Sequence, residues 1–408
     1  MEKIKEVKHD LLTHAVCILF LVYTVFRVYE LGGVRIADIA DYVLIFTYLL
    51  KGRINNNAVP RKLKLFFCFW ILSIIISAGW TGLSALRPLL GVVHSYLFYL
   101  LLFDKTDVTL LLKYYRIFAI IAIIFFFLQE FTYITIGTRI SGIIPGLNLV
   151  SEVGDSSDFV ESQLYGRRSS SFFSEPAHLA QFLLPLLSVE LLGNKVKKFS
   201  VLTVLILLAL LILQSGNAMF GLVVILSVYI VKRLSERKSI KTILGTAFIV
   251  AAIGVGAVYY ISTEKGQALL DRQDQLSMTD YESGASGFVR IYRGYFVYKN
   301  LNVVEKIIGV NDFGVLRTRI KTSEVGFMFD EDDTYFNAVQ YVMIHTGIIG
   351  LLLFVYFLAD LWRNNTYMGK SLIICLIVLS FISSIFMTST MALFLVLTSY
   401  SKRINKIT

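Results

Sequence analysis

Cysteine is scarce: Cys17, Cys68 and Cys375 are the three in 408 residues. They sit far apart, each inside an apolar run, which excludes a disulfide framework and any cysteine-based metal spacing. They read as small hydrophobic side chains. Charge is scarce too, at 17% of residues. No glycine-rich dinucleotide fingerprint and no P-loop occurs, so nothing points to a bound nucleotide. No HExxH or comparable set marks a metal centre. No serine stands in a nucleophile-elbow context, although a dispersed Ser–His–Asp arrangement stays open. Internal repeats and low-complexity tracts are absent as well.

What the chain has in abundance is apolar length. Hydrophobic residues make up 56% and mean hydropathy is +0.68, against roughly 45–50% apolar in soluble proteins. Runs of about twenty apolar residues recur, each able to cross about 30 Å of hydrocarbon. The expected spans are 11–29, 37–50, 63–80, 83–103, 111–133, 175–192, 199–214, 216–231, 241–262, 334–360, 370–387 and 388–401. The last two share one apolar run with a hairpin expected near Met387-Thr388-Ser389, so the total is eleven or twelve. The fold class is an all-α polytopic membrane protein, with residues 1–408 forming one integral membrane domain. The opening MEKIKEVKHD before an apolar run resembles a signal anchor and is kept as the start of the first span.

The net charge is +10 and the pI about 9.3, yet the basic residues collect in short loops, which speaks for topology and against nucleic acid. Examples are Lys51, Arg53, Arg61, Lys62 and Lys64, or Lys232, Arg233, Arg237, Lys238 and Lys241. The short loops of opposite side hold only Arg35 and Arg87. By the positive-inside rule the N-terminus is cytoplasmic, and so is the C-terminus if there are twelve spans. Two long loops then fall outside, at about 134–174 and 263–333. Loops of this length are usually functional or disordered, and neither has a disordered composition. Within the second, Phe288, Ile291, Tyr292 and Tyr295 recur at helical spacing with Arg290 and Arg293 on another side. That pattern predicts a short amphipathic helix at the outer interface, apolar face down.

The polar centre of the chain is Arg167-Arg168-Ser169-Ser170-Ser171-Phe172-Phe173-Ser174-Glu175-Pro176-Ala177-His178-Leu179-Ala180-Gln181. Ser174 reads as a helix N-cap and Pro176 as a first-turn residue. Glu175 falls at the positive end of the helix, with His178 and Gln181 sharing a face below it. Polar groups gathered where a helix enters a bilayer suggest a cavity opening at that surface. Other polar residues bordering spans are His14, Asp41, His94 and His345, with Arg27, Glu130, Glu190 and Asp360 close enough to span ends to snorkel. His345 is expected to be a packing residue. An outward site with clustered arginines, a carboxylate and flanking lipid suits a pyrophosphate-linked glycolipid: guanidinium forks match phosphate oxygens, and a carboxylate can take a proton from a sugar hydroxyl.

The segment "Arg, small residues, Phe-Phe-Ser-Glu-Pro-Ala-His" resembles polysaccharide polymerases of the O-antigen and capsule type (Wzy). Two further segments are similar to that family and to the O-antigen ligases. One is the arginine-bearing loop leading to Ile307-Ile308-Gly309-Val310-Asn311-Asp312-Phe313-Gly314. The other is Thr334-Tyr335-Phe336-Asn337 through Gly347-Ile348-Ile349-Gly350. The resemblance implies a GT-C-like membrane enzyme of the bacterial cytoplasmic membrane, making O-antigen, capsule or exopolysaccharide by metal-independent, inverting transfer from undecaprenyl pyrophosphate without cofactors. It further implies a chain-length regulator and a flippase as partners. Carried over by residue, Arg167 or Arg168 and Arg290 would hold the pyrophosphate with Arg293 in support. Glu175 would activate the acceptor hydroxyl and His178 would position it. Ligases commonly place a histidine before the asparagine that opens the late span, whereas here Phe336 precedes Asn337. The base stays open between Glu175 and the upstream Asp332 and Asp333. The alternatives are a ligase and, from another class, a lipid-linked oligosaccharide flippase.

Overall fold

The computed structural model describes residues 10–52, 54–150, 168–193, 200–213, 215–236, 290–329, 335–363 and 365–407. Within them the chain is a bundle of helices, most of them apolar. In order these are α1 (Leu11–Phe26), α2 (Ile36–Leu50), α3 (Arg61–Thr81), α4 (Arg87–Lys105), α5 (Val108–Ile136), α6 (Pro176–Leu192), α7 (Val201–Ile212) and α8 (Gly216–Glu236). After the loop come α9 (Arg293–Lys299), α10 (Val303–Ile308), α11 (Phe313–Lys321), α12 (Ala338–Arg363), α13 (Tyr367–Ile382), α14 (Ser389–Ser399) and α15 (Ser401–Ile407). Among the described residues, five helices are long and apolar enough to cross a membrane: Arg61–Gly79, Leu83–Lys105, Val108–Ile136, Gly216–Glu236 and Ala338–Arg363. The expected span at 241–262 lies outside the described residues.

Several helices, α1 and α5 among them, begin where a side chain satisfies their orphan N–H groups. The Asp10 carboxylate accepts from the Thr13 N–H at 2.9 Å, and Asp107 accepts from Thr109 and Leu110 at 2.9 and 3.0 Å. α5 stops at Gly137, whose φ of 81° closes the helix in the left-handed conformation. The expected final hairpin is present: α13 and α14 are separated by residues 383–388, with Met387 at φ 56°.

α6 and α14 form the centre. Residues Leu179–Val189 of α6 and Ser389–Thr398 of α14 are buried throughout, as expected of helices apolar on every side. α6 packs against α7, α8, α13 and α14, and Gly221 of α8 approaches so closely that a Cβ there would meet the Leu184 side chain at 2.3 Å. Charges bordering the spans are largely paired. Arg116 donates to Glu190 at 2.8 Å, Lys62 to Asp360 at 2.6 Å, and Lys232 reaches the carbonyls of Leu192 and Gly193 at the C-terminal end of α6.

Two features depart from the all-helical expectation. A three-stranded antiparallel sheet pairs β1 (Tyr29–Leu31) with β2 (Val34–Arg35) and with β3 (Asn148–Leu149), tying the first short loop to the first long one. The second long loop, where described, folds on itself. Val297, Leu301, Val310, Leu316, Ile320, Phe336 and Ile344 make a small core separate from that of the bundle.

That small core is docked by backbone-on-backbone contact. Gly309 (φ +94°) and Gly347 (φ +62°) face each other across the α10–α12 junction. A Cβ on Gly309 would lie 2.2 Å from the His345 carbonyl oxygen, and one on Gly347 would lie 2.3 Å from the Ile307 carbonyl. α12 is kinked at Gly347. Around this contact Val310 N–H donates to the Ile344 carbonyl (2.8 Å), and the His345 ring nitrogen to the Val310 carbonyl (3.0 Å). Ser73 donates to the Ile308 carbonyl (2.5 Å) and accepts from Asn311 (2.9 Å). Ser84 donates to Asp312. Burial opposes ionisation of Asp312, but the Ser84 hydroxyl and the Val315 and Gly314 N–H groups hold its carboxyl below its ordinary range. The Ile-Ile-Gly-Val-Asn-Asp segment is thus a structural seam, and His345 packs within it as expected.

Overpacking such a contact costs about 1–3 kcal/mol. Gly309→Ala and Gly347→Ala should therefore lower the unfolding temperature in detergent, whereas Gly91→Ala, with open space around its Cβ, should not. Equal melting of all three proteins would contradict the seam.

Candidate functional site

A cavity of about 520 Å³ opens at the end of the bundle that carries the loops. Its polar lining comes from four separate segments: Arg27 and Arg35 around the first short loop, Ser174, Glu175, His178 and Gln181 at the start of α6, Arg290 and Tyr335 from the second long loop, and the hydroxyls of residues 383–390. Val28, Val150, Ile385, Phe386 and Met387 supply apolar wall.

The α6 segment is held from behind by α5. Gln129, fully buried, takes the Ser171 N–H on its side-chain oxygen (2.8 Å) and donates to the carbonyls of Ile140 (2.9 Å) and Ser171 (3.4 Å). The Ser171 hydroxyl donates to the Ala122 carbonyl at 2.8 Å. This clasp keeps Ser171 at φ 57°, a conformation that costs a non-glycine residue about 1–2 kcal/mol. Nearby, Arg139 donates to Ser169 (2.7 Å), and Ser169 to Glu130 (2.5 Å). The phenylalanines anchor the same stretch, Phe172 stacking on Phe125 at 4.2 Å. The chain then turns into α6 with Pro176 in its first turn.

The cap falls one residue later than expected. Glu175 is the N-cap, with φ −138° and ψ 152° and no side-chain cap bond, so its carboxylate remains in the cavity. Ser174 instead bonds the His178 Nδ1 at 2.8 Å and orients the ring. His178 and Gln181 share the cavity-facing side, as their spacing predicts. Glu175, Arg27 and Arg290 all lie within electrostatic reach of the His178 ring.

Arg290 is placed by the start of α12. The Asn337 side chain donates to the carbonyls of Arg290 and Phe381, both at 2.9 Å, and accepts from Gln340 N–H at 2.9 Å. Gln340 in turn donates to the Ile291 carbonyl at 2.8 Å, and a Cβ on Gly294 would collide with its side chain. Asn337 is fully buried. It therefore positions the Arg290 backbone and, expected as a substrate-binding residue, does not itself line the cavity.

Arg293, expected to support the pyrophosphate, is not among the cavity-lining residues either. It is 2% exposed, donates to the carbonyls of Met328 and Tyr335 at 2.9 Å each, and lies 3.9 Å over the Phe329 ring. Where the predicted amphipathic helix is described, Arg290 and Ile291 are helical, the chain turns at Tyr292, and α9 runs on from Arg293. Seating Gly294 on Gln340 turns Arg293 into the loop's interior, while Arg290 stays exposed in the cavity. α9 accordingly packs on α12.

Arg168 is exposed at the head of the α6 segment, away from the cavity lining. Arg167, Asp332 and Asp333 lie outside the described residues. Arg27 and Arg35, which the sequence offered only as a snorkelling residue and a short-loop cation, line the cavity. Their signal was faint, since β1 and β2 are too short to show periodicity. The hydroxyl run at 383–390 was visible but read only as a hairpin.

The site combines a guanidinium excess with one carboxylate, one oriented imidazole and apolar walls. Such a site can bind a polyanion and move a proton at a neighbouring hydroxyl. No protein-family model and no curated protein sequence matches this chain.

The convergence is testable in the protein alone. With Cys68→Ser as background, a Glu175→Cys/Arg290→Cys pair should be joined by a short bifunctional thiol reagent, holding the chain together after cleavage at an engineered protease site between them. Fragments that separate fully would show that the two positions do not share a cavity.

Proposed function

We propose that this membrane protein is a polysaccharide polymerase of the O-antigen, capsule or exopolysaccharide type. It acts at the outer face of the bacterial cytoplasmic membrane. It moves a growing glycan from undecaprenyl pyrophosphate onto the next lipid-linked repeat unit. The observation that carries this reading is the meeting of Arg27, Arg35 and Arg290 with Glu175 and His178 in one cavity at the end of an apolar bundle.

The chemistry follows from those groups. A diphosphate leaving group needs its charge held as the bond to the anomeric carbon breaks, and arginine forks do this without deprotonating. The acceptor hydroxyl attacks the anomeric carbon from the opposite face and passes its proton to the Glu175 carboxylate. The new carbon–oxygen bond forms as the carbon–phosphate oxygen bond breaks, giving inversion. The Ser174-held His178 ring orients the acceptor. Low dielectric around the apolar wall strengthens each of these interactions. Among the described residues, Glu175 is the candidate base that lines the cavity. Phe336 favours polymerase over ligase: it is buried in the loop's small core, so the position before Asn337 serves packing.

Loss of one charge-assisted contact is worth about 1.5–3 kcal/mol, or about tenfold to a hundredfold. Arg290→Ala, Arg27→Ala and Glu175→Gln should each cut polymer at least tenfold in the host while protein remains in the membrane. Arg168→Ala should retain more product. A deletion strain should accumulate single repeats on lipid. Long unattached chains would indicate a ligase, and near-normal polymer in the three variants would refute the site.

A further inference from the structure

Beside the large cavity lies a smaller chamber of about 180 Å³, sharing Tyr23, Met387 and Ser389 with it as common wall. Its floor is Asp41 on α2, 1% exposed, with one carboxylate oxygen 2.9 Å from the His94 Nε2 of α4. The other, Oδ1, is buried and has no hydrogen-bond partner among the described residues. Tyr42 stands at the rim, 55% exposed, its ring 4.5 Å from the His94 ring. The neighbouring Asp38 is engaged by the Tyr23 hydroxyl at 2.7 Å.

We propose that this chamber seats a sugar ring of the acceptor glycan, with Asp41 Oδ1 accepting a sugar hydroxyl and Tyr42 covering the ring's apolar face. The assignment rests on the glycosyl-transfer reading above. A buried carboxylate oxygen that lacks a partner calls for a hydrogen-bond donor. An aromatic face beside it suits the C–H side of a pyranose. No group of three His, Cys, Asp or Glu among the described residues could hold a metal ion, and the space, about six waters' worth, fits one ring rather than a chain. The shared wall connects that ring to the cavity holding Glu175 and Arg290, so the chamber would select the acceptor while the large cavity holds the donor.

The experiment uses the full chain in nanodiscs and two probes. One is the oligosaccharide mixture from partial hydrolysis of the host's own surface polysaccharide, followed by saturation-transfer NMR. The other is undecaprenyl diphosphate, followed by displacement of a labelled analogue. Asp41→Asn and Tyr42→Ala should each weaken oligosaccharide binding about tenfold and leave undecaprenyl diphosphate binding unchanged. Arg290→Ala should do the reverse. Tyr42 is at the rim, so its variant keeps the test open if Asp41→Asn does not reach the membrane. Oligosaccharide binding at wild-type strength in every Asp41 or Tyr42 variant recovered, with undecaprenyl diphosphate still bound, would overturn the chamber's role and leave the polymerase reading standing. A wild-type protein that binds neither probe would overturn both.

Discussion

The buried amide of Gln129 is the constraint on which the rest depends. At membrane depth, irregular backbone must find its hydrogen bonds within the protein, and the segment leading into α6 is irregular from residue 168 to 175. Gln129 supplies a donor and an acceptor to Ser171 and a further donor to Ile140, so one side chain ties two loop segments to α5. Ser169, Arg139 and Glu130 continue that bonding toward the loop end. With the segment fixed, α6 can start at a cap whose carboxylate is not consumed by the cap. Glu175 is therefore available to a ligand, and His178 is oriented one turn below it by Ser174.

The opposite wall is fixed by independent means. The paired glycines at 309 and 347 let α10 lie against the kink in α12. The start of α12 then holds the Arg290 turn through Asn337 and Gln340. A third support, the small sheet, brings Arg35 and Val150 to the rim. Two of these three supports thus deliver cations to one cavity, and the Gln129 clasp delivers its carboxylate. Mutual repulsion among guanidiniums disfavours such a gathering unless a counter-charge is present. A bound diphosphate would provide it.

Much of this was legible from hydropathy and spacing. The apolar runs mark the described helices to within a few residues because a lipid-facing or buried helix must be apolar over its length. Glu175, His178 and Gln181 were legible because Pro176 starts the helix and fixes their phase. Arg290 and Arg293 were not separable in sequence. Their divergence depends on a tertiary contact, Gly294 on Gln340, that helical spacing cannot express. Asn337 looked like a ligand residue because a buried amide holding a backbone and an amide holding a substrate have the same sequence signature. Arg27 was hidden for the opposite reason: a cation at a span end is ordinarily a snorkelling residue, and only the sheet and the 383–388 hairpin show which way the cavity lies.

The central claim is that the guanidiniums of Arg27, Arg35 and Arg290 grip a diphosphate beside Glu175. The most direct measurement is a cryo-EM structure of the protein in nanodiscs saturated with an undecaprenyl-pyrophosphate-linked repeat unit. The account predicts diphosphate density between those arginines, with the first sugar toward Glu175. Density on another face of the bundle, or an unoccupied cavity with glycolipid bound elsewhere, would contradict it.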